Sequence, residues 1–492
     1  MLTQALANLF PGWVPVLITG VLGLATYYVV YSLYWAPLSQ VPGPAISALT
    51  KYWILYKTWN EERIRLTHSL HEKYGPIVRL SPTEVSFADP ATIRTIYVGN
   101  FDKSSFYGQF GNFDRLNAFS TLGKQGHVKR RKVISPIYSK SSVCSPQNEA
   151  RTQERIADTM AYITSHRKNT VEVYNVFHAL AMDTVTGFLL GDENGSHFLR
   201  SGDWSIIESY RLQSAMWFWT TLMPRFYDYA LDKATKFAVG ATANWCKSNS
   251  LPAAKAPSPL SVMSTLKNAG LADMDAFSEI QDHTAAGHET TGATLTFLTY
   301  HLSTHPEIQG RLHQELVNAF GKPTGEVFEP LSYKLVDNLP YLNGVVMETL
   351  RLYSAIPGAE PRVVPEMGMQ YGPYNLPPNT VVSIQPWTVH RDANVYPDPL
   401  EFKPERWFES DPEQLKLMNK SFMAFGAGVR MCVGMNLALQ EIKLIVANIY
   451  RMYSTRVADG YDHDKMYIVD KYTTHPLGHE CLLNFTPIAT SD

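Results

Sequence analysis

The residues whose types and spacing best suit chemistry lie in one stretch, 425–434, with the sequence FGAGVRMCVG. Glycines in this stretch let the backbone turn tightly and approach a flat ligand that a Cβ would obstruct. Arg430 offers a fixed fork of N–H donors for a carboxylate. Good helix formers follow from Met435 to Glu441, so the Cys432 thiolate would face a helix N-terminus, whose free N–H groups and dipole stabilise it. The alternative is a buried structural cysteine behind a glycine-rich turn.

The pattern Phe-Gly-x-Gly-x-Arg-x-Cys-x-Gly resembles the haem-thiolate loop of the cytochrome P-450 monooxygenases. This resemblance implies that Cys432 is the axial ligand of the iron in haem b, iron protoporphyrin IX. It also implies that Phe425, Gly426, Arg430 and Gly434 bind the cofactor. The resemblance runs from about residue 40 to the C-terminus.

A second motif, AAGHETTG at 285–292, lies in a long stretch of helical period and interrupts it. Gly287 removes side-chain bulk, and the Thr290 hydroxyl can bond the carbonyl of Ala286 one turn back, which opens a groove. The motif resembles the family's oxygen-binding segment. The resemblance implies that Ala286 contacts the haem, that Thr290 orients the oxygen and that Glu289 feeds a proton relay, since O–O cleavage needs two protons. The alternative is the polar face of a surface helix.

Two further motifs predict a structural network. Glu348 and Arg351 are three residues apart and share a helix face, but such a pair alone is an ordinary solvated pair. The segment PERW at 404–407 follows it and precedes the cysteine loop. In the family that this pattern resembles, the glutamate and two arginines form a buried triad on the cysteine side of the haem. We therefore assign Glu348, Arg351 and Arg406 to structure rather than chemistry.

Cations elsewhere resemble the family's propionate-binding residues. His127 and Arg131 stand at i and i+4, so both can donate to one haem propionate. Arg362 follows Pro361 and matches another propionate-binding arginine. Three more cations form either a solvated charge run or a docking surface for an acidic electron donor: Lys129, Arg130 and Lys132.

The N-terminus predicts a membrane anchor, because no charged side chain precedes Lys51. As a helix, the apolar run at 13–35 extends roughly 34 Å, enough to span a bilayer. A cleaved signal peptide is disfavoured because the segment lacks a positively charged n-region and its apolar run is too long. A buried core helix is disfavoured because the run is apolar on all sides. We expect a luminal segment at 1–12, a transmembrane helix at 13–35, a proline-rich hinge at 36–50 and a catalytic domain at 51–492. Downstream basic residues favour a cytosolic domain, and the resemblance implies the endoplasmic reticulum membrane.

The elements that must position these motifs are mainly helical. Periodicity predicts helices over 150–190, 205–248, 275–303, 306–320 and 339–353. Alternation and turn residues predict strands at 77–80, 84–87, 369–371 and 380–384. The expected fold is mainly α with a small β region drawn from both ends of the chain, the cytochrome P-450 fold, preceded by one N-terminal transmembrane helix. No linker-like run divides residues 60–490, which predicts one large domain.

Composition excludes several function classes. The net charge of −2 gives no global basic field, so we expect no nucleic-acid partner. The four cysteines are far apart and form no CxxC pair, which disfavours a disulfide framework or a zinc site and suits a reducing compartment. The chain shows no flavin- or nicotinamide-binding unit. The resemblance therefore implies that NADPH supplies electrons through a separate diflavin NADPH–cytochrome P-450 reductase. A cytochrome b-type protein is a possible second donor.

In the family, the walls of the substrate pocket come from segments near 101–121, 205–225, 280–290, 355–363 and 470–476. Aromatic residues crowd the first of these and, at 217–219, the second. This density indicates a bulky apolar ligand, although such residues also form ordinary core. The segment 74–79, with Phe101 to Lys103, resembles filamentous-fungal members that modify terpenoid, alkaloid or polyketide scaffolds. We expect a lipophilic small-molecule intermediate of secondary metabolism.

Two other functions remain open on these residues. A haem-thiolate isomerase or dehydratase would act without a reductase, and a membrane-anchored haem- or lipid-binding protein would have no turnover. The Glu289–Thr290 pair and the oxygen groove disfavour both.

Overall fold

A computed structural model describes residues 13–488 except 100, 215, 231–232, 251–259 and 326–327. Helices dominate this part of the chain. The longer ones are Trp13–Val30, Tyr52–Trp59, Arg63–Tyr74, Lys124–Ile134, Pro146–His166, Val173–Leu190, Ser205–Ser214, Lys233–Ser250, Asp273–Thr304, Pro306–Phe320, Pro340–Leu352, Pro412–Ser421 and Met435–Met452. Shorter ones are Ala45–Leu49, Ala91–Ile93, Lys140–Val143, Phe198–Ser201, Trp217–Leu222, Tyr227–Ala230, Val262–Asn268, Tyr333–Val336 and Pro386–Val389. The mainly helical fold class is confirmed.

The strands are short and form small sheets: Ile77–Ser81, Glu84–Phe87, Val171–Glu172, Arg362–Val363, Met369–Tyr371, Tyr374–Leu376, Val381–Ile384, Tyr453–Val457, Ile468–Lys471, Thr473–Pro476 and Leu482–Pro487. The largest sheet has four strands and joins the predicted hairpin 77–87 to the late strand Val381–Ile384 and then to Arg362–Val363. Glu84 pairs with Val381 and Phe87 with Ile384 in parallel. The small β region therefore combines both ends of the chain, as predicted.

The apolar N-terminal helix Trp13–Val30 continues as a π-helix, Tyr31–Trp35. From Pro15 to Trp35 its mean hydropathy reaches 1.7, and only 6% of that window is buried. The other described helix of comparable length and hydropathy, Val173–Leu190, is 94% buried and belongs to the core. A long apolar helix that leaves its side chains exposed needs another apolar phase to cover them.

The core is centred on the helix Asp273–Thr304, which we call the central helix, and it packs along Val173–Leu190. Two glycines make this contact close. A Cβ on Gly287 would lie 2.5 Å from Val185 Cγ2, and one on Gly292 would lie 2.7 Å from His178. The helix runs without a break through 285–292, so the expected interruption is wrong. Gly287 is needed for helix–helix approach.

Two long helical predictions are broken in the structure. The predicted helix 150–190 ends at His166 and resumes at Val173, because Val171–Glu172 pairs as a strand with Leu482 and Leu483. The predicted helix 205–248 is divided into several pieces. One break lies at Pro224, which lacks the backbone N–H that a continuing helix requires.

Candidate functional site

The cysteine loop is held in a single backbone conformation. The Cys432 N–H donates to the carbonyl of Phe425 over 2.8 Å. Gly426 and Gly428 have φ of +69° and +70°, where a side chain is strained. A Cβ on Gly428 would also overlap the carbonyl oxygen of Tyr97. The loop therefore depends on glycine at these two positions.

Cys432 lies at the start of the helix Met435–Met452, as predicted. Burial raises the pKa of its thiol, whereas the N–H groups of Gly434 and Met435 and the Arg131 guanidinium act in the opposite direction. Cys432 is nevertheless solvent-accessible. Because Cys432 is enclosed by protein and is still accessible, it faces an internal cavity. The sulfur is thus available to a ligand inside the molecule.

The central helix carries an accessible stripe in the middle of its buried length. Residues 276–281 and 291–299 are all buried. Between them, Gly287 is half-buried. The other accessible positions are Ala286, which is exposed, and Asp282, Ala285, Glu289 and Thr290, which are half-buried. Their spacing is i, i+3, i+4, i+7 and i+8, so they share one helix face, which Gly287 borders. We call these five residues the cavity stripe, because accessible side chains between two buried turns require an internal space.

Thr290 makes the bond that the sequence predicts. Its Oγ1 donates to the carbonyl of Ala286 over 2.7 Å. The hydroxyl is therefore fixed beside the accessible Ala286. Its oxygen lone pairs remain able to accept a hydrogen bond from a ligand in the cavity.

Glu289 is a carboxyl in a desolvated position. Burial raises its pKa to about 7, although the hydroxyls of Ser214 and Thr473 favour the charged form. Its Oε1 has no hydrogen-bond partner among the described residues. The nearest cation-forming group is the ring of His475, with Nε2 at 3.9 Å from Oε1. Glu289 can therefore exchange a proton near neutral pH.

A polar chain that the sequence reasoning missed continues from Glu289. Thr473 Oγ1 lies 3.0 Å from His475 Nε2. Tyr174 Oη lies 3.3 Å from His475 Nδ1 and 3.4 Å from His479 Nδ1. His479 is half-buried, so the chain reaches the accessible surface. These residues come from distant segments: Thr473 and His475 lie on the hairpin Ile468–Pro476, Tyr174 lies on the helix Val173–Leu190, and His479 follows the hairpin.

Cations converge beside the cysteine loop. Arg430 donates to the carbonyls of Thr121 and Leu122 over 2.7 and 2.5 Å, and its buried Nε has no partner among the described residues. Burial and the nearby charges of Arg430, Lys103, Arg131 and Arg362 together lower the pKa of His127 to about 4. The structure therefore brings together the four predicted propionate-binding residues, His127 as a neutral imidazole and three arginines, and adds Lys103. Such a cluster suits an anionic ligand.

Lys103 is the member of this cluster that sequence reasoning missed. Its Nζ donates to the carbonyl of Phe119 over 2.7 Å, and burial lowers its pKa well below the ordinary value. Arg362 donates to Tyr107 Oη over 3.1 Å and lies 3.7 Å from Glu360.

The predicted triad is present and buried. Arg351 makes a bidentate pair with Glu348, from Nη2 to Oε1 over 2.7 Å and from Nε to Oε2 over 2.8 Å. Arg406 Nε donates to Glu348 Oε1 over 2.9 Å, and Trp407 Nε1 donates to Oε2 over 3.0 Å. The side chains of Glu348 and Arg351 are 0% exposed and that of Arg406 is 5% exposed. The single carboxylate of Glu348 thus pairs with two guanidinium groups, and their remaining N–H groups donate to backbone carbonyls, such as those of His390 and Pro397.

One of the proposed docking cations points inward. Arg130 Nη1 donates to Glu279 Oε1 of the central helix over 2.8 Å, and Glu279 is 1% exposed. Arg130 therefore holds two helices together and does not belong to an external docking surface. Lys129 and Lys132 are exposed.

Three of the aromatic side chains in the predicted pocket segment 101–121 form a cluster around the tip of the hairpin Ile468–Pro476, whereas Phe101 and Phe113 pack into other parts of the core. Tyr472 has φ of +74° at this tip, and its ring centroid is 5.0 Å from that of Phe110 and 5.7 Å from that of Phe106. Phe119 lies 5.3 Å from Phe110 and 6.5 Å from Tyr472. We call Phe106, Phe110, Phe119 and Tyr472 the aromatic cluster.

Comparison with known proteins gives consistent results. The family model described as Cytochrome P450 matches residues 41–482. The cytochrome P450 monooxygenase tazI of Aspergillus terreus is 28% identical over 481 residues, which covers 92% of this chain and 95% of that protein. The cytochrome P450 monooxygenase stcB of Emericella nidulans is 29% identical over 481 residues, covering 92% and 89%. The cytochrome P450 monooxygenase oblB of Cochliobolus heterostrophus is 28% identical over 475 residues, covering 87% and 88%.

Proposed function

Because the chain belongs to the cytochrome P450 family of monooxygenases, we propose that it inserts one oxygen atom of O₂ into a lipophilic intermediate of fungal secondary metabolism. The second oxygen atom leaves as water. NADPH supplies two electrons through a separate reductase, and the solvent supplies the protons. The fungal origin of the relatives supports the substrate class.

The residues present fit a haem group. Cys432 offers an accessible sulfur in an enclosed space, and Gly426 and Gly428 give its loop the positive φ angles and the close approach to Glu360 and Tyr97 that this position requires. The unpartnered Nε of Arg430 and the cations around it are suited to carboxylates such as the two propionates. We propose that Cys432 would ligate the iron through its sulfur and that His127, Arg131, Arg362 and Arg430 would hold the propionates. When bound, the haem supplies the chemistry that activates dioxygen.

Phe425, Gly426, Gly434 and Ala286 complete the proposed cofactor contacts. Gly434 leaves room beside the sulfur, since a Cβ there would still be 3.9 Å from Cys432 Sγ. Ala286 is the exposed member of the cavity stripe. A larger side chain at Ala286 would fill the space into which a flat ligand must fit.

The chain's own contribution to the reaction is control of water and protons. Thr290 holds its hydroxyl at the groove through the bond to Ala286. Glu289 holds a proton on its carboxyl near neutral pH and releases it toward Thr290. We propose that His479, Tyr174, His475 and Thr473 return a proton from the surface to Glu289. The buried turns on both sides of the stripe keep bulk water out.

The membrane and partner assignments are part of this proposal. The exposed apolar helical span Pro15–Trp35 supports a single-pass anchor at 13–35 in the endoplasmic reticulum membrane, with 1–12 luminal, 36–50 as a hinge and 51–492 as the cytosolic catalytic domain. Residues 1–12 lie outside the described residues. Exposed Lys129 and Lys132 support docking of an acidic donor, a diflavin reductase or a cytochrome b-type protein. Nothing in the charge distribution calls for nucleic acid.

The observation that carries the proposal is the accessible Cys432 in an enclosed loop, within a chain that matches the family over residues 41–482. The test begins with a fungal strain that lacks this protein, from which the accumulated precursor is isolated. The purified protein is then incubated with that precursor, reductase, NADPH and ¹⁸O₂. We expect a product that carries one ¹⁸O atom and forms only when all components are present.

The two alternatives give different outcomes in the same assay. An isomerase or dehydratase would convert the precursor without reductase or NADPH and without ¹⁸O. A passive haem- or lipid-binding protein would bind the precursor and consume no NADPH above the background of the reductase.

A further inference from the structure

We propose that Tyr138 is a redox-active residue that gives an electron to the haem when the haem is oxidised and no substrate is present, and that His283 accepts the proton of Tyr138 in the same step. The inference rests on the haem site of the proposed function and goes beyond it. Neither residue belongs to the Cys432 loop, the cavity stripe or the proton chain that starts at Glu289.

Tyr138 is packed against the segment that carries Cys432. Its backbone carbonyl accepts a 2.9 Å hydrogen bond from Nδ2 of Asn436, which lies in the first turn of the helix that follows Cys432. Its ring belongs to the same buried core cluster as Leu437, and Val433 packs against that cluster. Tyr138 is therefore held in place by the two elements that position the sulfur, the loop and its helix.

The Tyr138 hydroxyl has one hydrogen-bond partner among the described residues, Nδ1 of His283 on the central helix, at 3.0 Å. The other ring nitrogen, Nε2, lies 3.9 Å from Oε2 of Glu279, whose negative charge favours the tautomer that carries its proton on Nε2. Nδ1 then has a free lone pair and accepts the hydrogen bond from the phenol. All three side chains are buried, so bulk water does not compete for the proton.

Burial also sets the resting protonation states of this pair. Burial and nearby negative charges raise the pKa of the Tyr138 phenol well above its ordinary value. Burial and the nearby Arg131 guanidinium lower the pKa of His283 to about 4. At neutral pH the phenol therefore carries its proton and the imidazole is free to accept one. A buried phenol loses an electron readily only if its proton leaves as well, because the radical cation would be an uncompensated charge in a medium of low dielectric.

The coupled transfer balances as follows. The oxidant is the haem after reaction with a peroxide, in a cavity that holds no oxidisable carbon. Tyr138 gives it one electron, the phenol O–H bond breaks, and the proton moves to Nδ1 of His283. The products are a neutral phenoxyl radical and an imidazolium, whose charge the Glu279 carboxylate stabilises. One electron from the reductase and the proton from His283 then restore the phenol, so the net change is one electron passed from the reductase to the haem.

Two other buried tyrosines near the cation cluster lack such a proton acceptor. The guanidinium of Arg362 lies 4.8 and 5.4 Å from the ring centroids of Tyr97 and Tyr107. The Tyr97 hydroxyl donates to a backbone carbonyl over 2.8 Å, and the Tyr107 hydroxyl accepts from Arg362 over 3.1 Å. Neither a carbonyl nor a guanidinium can take a phenol proton. Tyr138 therefore differs from them in having a base as its partner.

The test detects the radical directly in purified, haem-loaded protein that shows the thiolate-type spectrum of the reduced carbon monoxide complex. Protein without substrate is mixed with peracetic acid and frozen within milliseconds, and its electron paramagnetic resonance spectrum is recorded. Ring-deuterated tyrosine, incorporated during expression, identifies a tyrosyl radical by the narrowing of its hyperfine pattern. We expect a tyrosyl signal in the wild-type protein and at least a fivefold smaller one in Tyr138→Phe.

His283→Gln separates proton transfer from a structural contact. The amide oxygen of glutamine can keep the hydrogen bond from Tyr138, but it is not basic enough to take the proton. We expect this variant to load haem and to lose at least four-fifths of the radical. In both variants hydrogen peroxide should bleach the haem at least threefold faster than in the wild-type protein. Tyr300→Phe is the control and should behave as wild type, since its hydroxyl contacts His463 at the surface, roughly 25 Å farther along the helix axis than His283.

A wild-type protein with the thiolate-type spectrum and no tyrosyl radical would overturn the inference. A radical that keeps its wild-type intensity in Tyr138→Phe or His283→Gln would overturn it as well. If either variant fails to load haem, double resonance on wild-type protein with ¹⁵N-labelled histidine decides, because the radical should couple to an exchangeable proton shared with a histidine nitrogen, and absence of that coupling would overturn the inference. A radical in a protein that does not oxygenate its precursor would refute the proposed function and leave this inference standing. Oxygenation by a protein that forms no radical would do the reverse.

Discussion

The imidazole of His390 accepts a 2.8 Å hydrogen bond from the backbone N–H of Met423. Its other nitrogen, Nδ1, lies 3.0 Å from the carbonyl oxygen of Arg351 and donates to it. Burial lowers the pKa of His390 to about 3, so the ring stays neutral and keeps this tautomer. The carbonyl of Met423 in turn accepts a 2.9 Å hydrogen bond from the backbone N–H of Gly426. One histidine therefore connects the Glu348 triad to the cysteine loop.

Replacing His390 with phenylalanine should weaken both the fold and haem retention. Phenylalanine can keep the stacking on Phe422, but it leaves the buried N–H of Met423 without an acceptor, at about 1–3 kcal/mol. We expect a lower urea midpoint and faster haem loss to apomyoglobin. His166→Phe, at an exposed position, is the control. Haem loss at the wild-type rate in His390→Phe would show that the connection is dispensable.

Removing the carboxylate of the triad should prevent assembly of the haem-loaded protein. Glu348→Ala leaves Arg351 and Arg406 as buried, uncompensated charges, which we expect to lower the free energy of unfolding by about 3–5 kcal/mol. The yield of haem-loaded protein per cell mass measures the effect. Glu409→Ala, a surface position 3.9 Å from Arg311, should change the yield little. Normal haem loading of Glu348→Ala would contradict a structural role for the triad.

Replacing the proposed axial ligand should change the spectrum in a specific way. Cys432→His removes the only thiolate that the cysteine loop offers, so the reduced carbon monoxide complex should lose its thiolate-type absorption band. Cys144→Ser, which alters a half-buried cysteine elsewhere, should keep the band. A thiolate-type band in Cys432→His would assign the ligand to a different cysteine.

Thr290 should control the use of electrons rather than cofactor or substrate binding. Without its hydroxyl, protons are no longer directed at the groove, and reduced oxygen leaves as hydrogen peroxide. Thr290→Ala should bind haem and substrate normally, form less product per NADPH and release more peroxide. Thr296→Ala removes an equivalent bond to the Gly292 carbonyl in the buried part of the helix and serves as the control. Unchanged coupling in Thr290→Ala would remove this residue from the mechanism.

The fraction of NADPH used for product should depend on pH through Glu289. Burial raises the pKa of this carboxyl to about 7, so it is protonated below that pH and ionised above it. If the protonated form delivers the proton, product per NADPH should fall as the pH rises from 6 to 8. Glu289→Gln should lower the coupling at pH 6 and flatten the profile. Infrared difference spectroscopy of the wild-type carboxyl should give a midpoint near pH 7, and a midpoint below pH 5 would contradict the assignment.

The sequence correctly predicted those helices and strands whose bounds depend on the local residue pattern. The helix at 306–320 and the strands at 84–87 and 369–371 have the predicted bounds, because capping, period and turn residues are encoded within each segment. The break before Val171 was not predicted, since it depends on pairing with Leu483 near the other end of the chain. Pro224 was a local signal of the second break and was overlooked.

For the site, motif spacing predicted the residues that act through local geometry. Thr290 bonds Ala286 one turn back, and Glu348 pairs with Arg351 on the same helix. The missed residues, His390 and His475, act through contacts between distant segments, which spacing does not encode.

The parallel pairing of Glu84–Phe87 with Val381–Ile384 sets an order of events during biosynthesis. The Tyr97 hydroxyl accepts from the Ile384 N–H, a contact between residues 287 positions apart. A ribosome must therefore release most of the chain before this sheet can close, and the closure carries the entropic cost of a very long loop. The Tyr97 carbonyl against which Gly428 packs belongs to the same early segment. Nascent chains should thus remain unable to retain the cofactor until translation has passed the cysteine loop, and they should be exposed to chaperones and proteases for that interval.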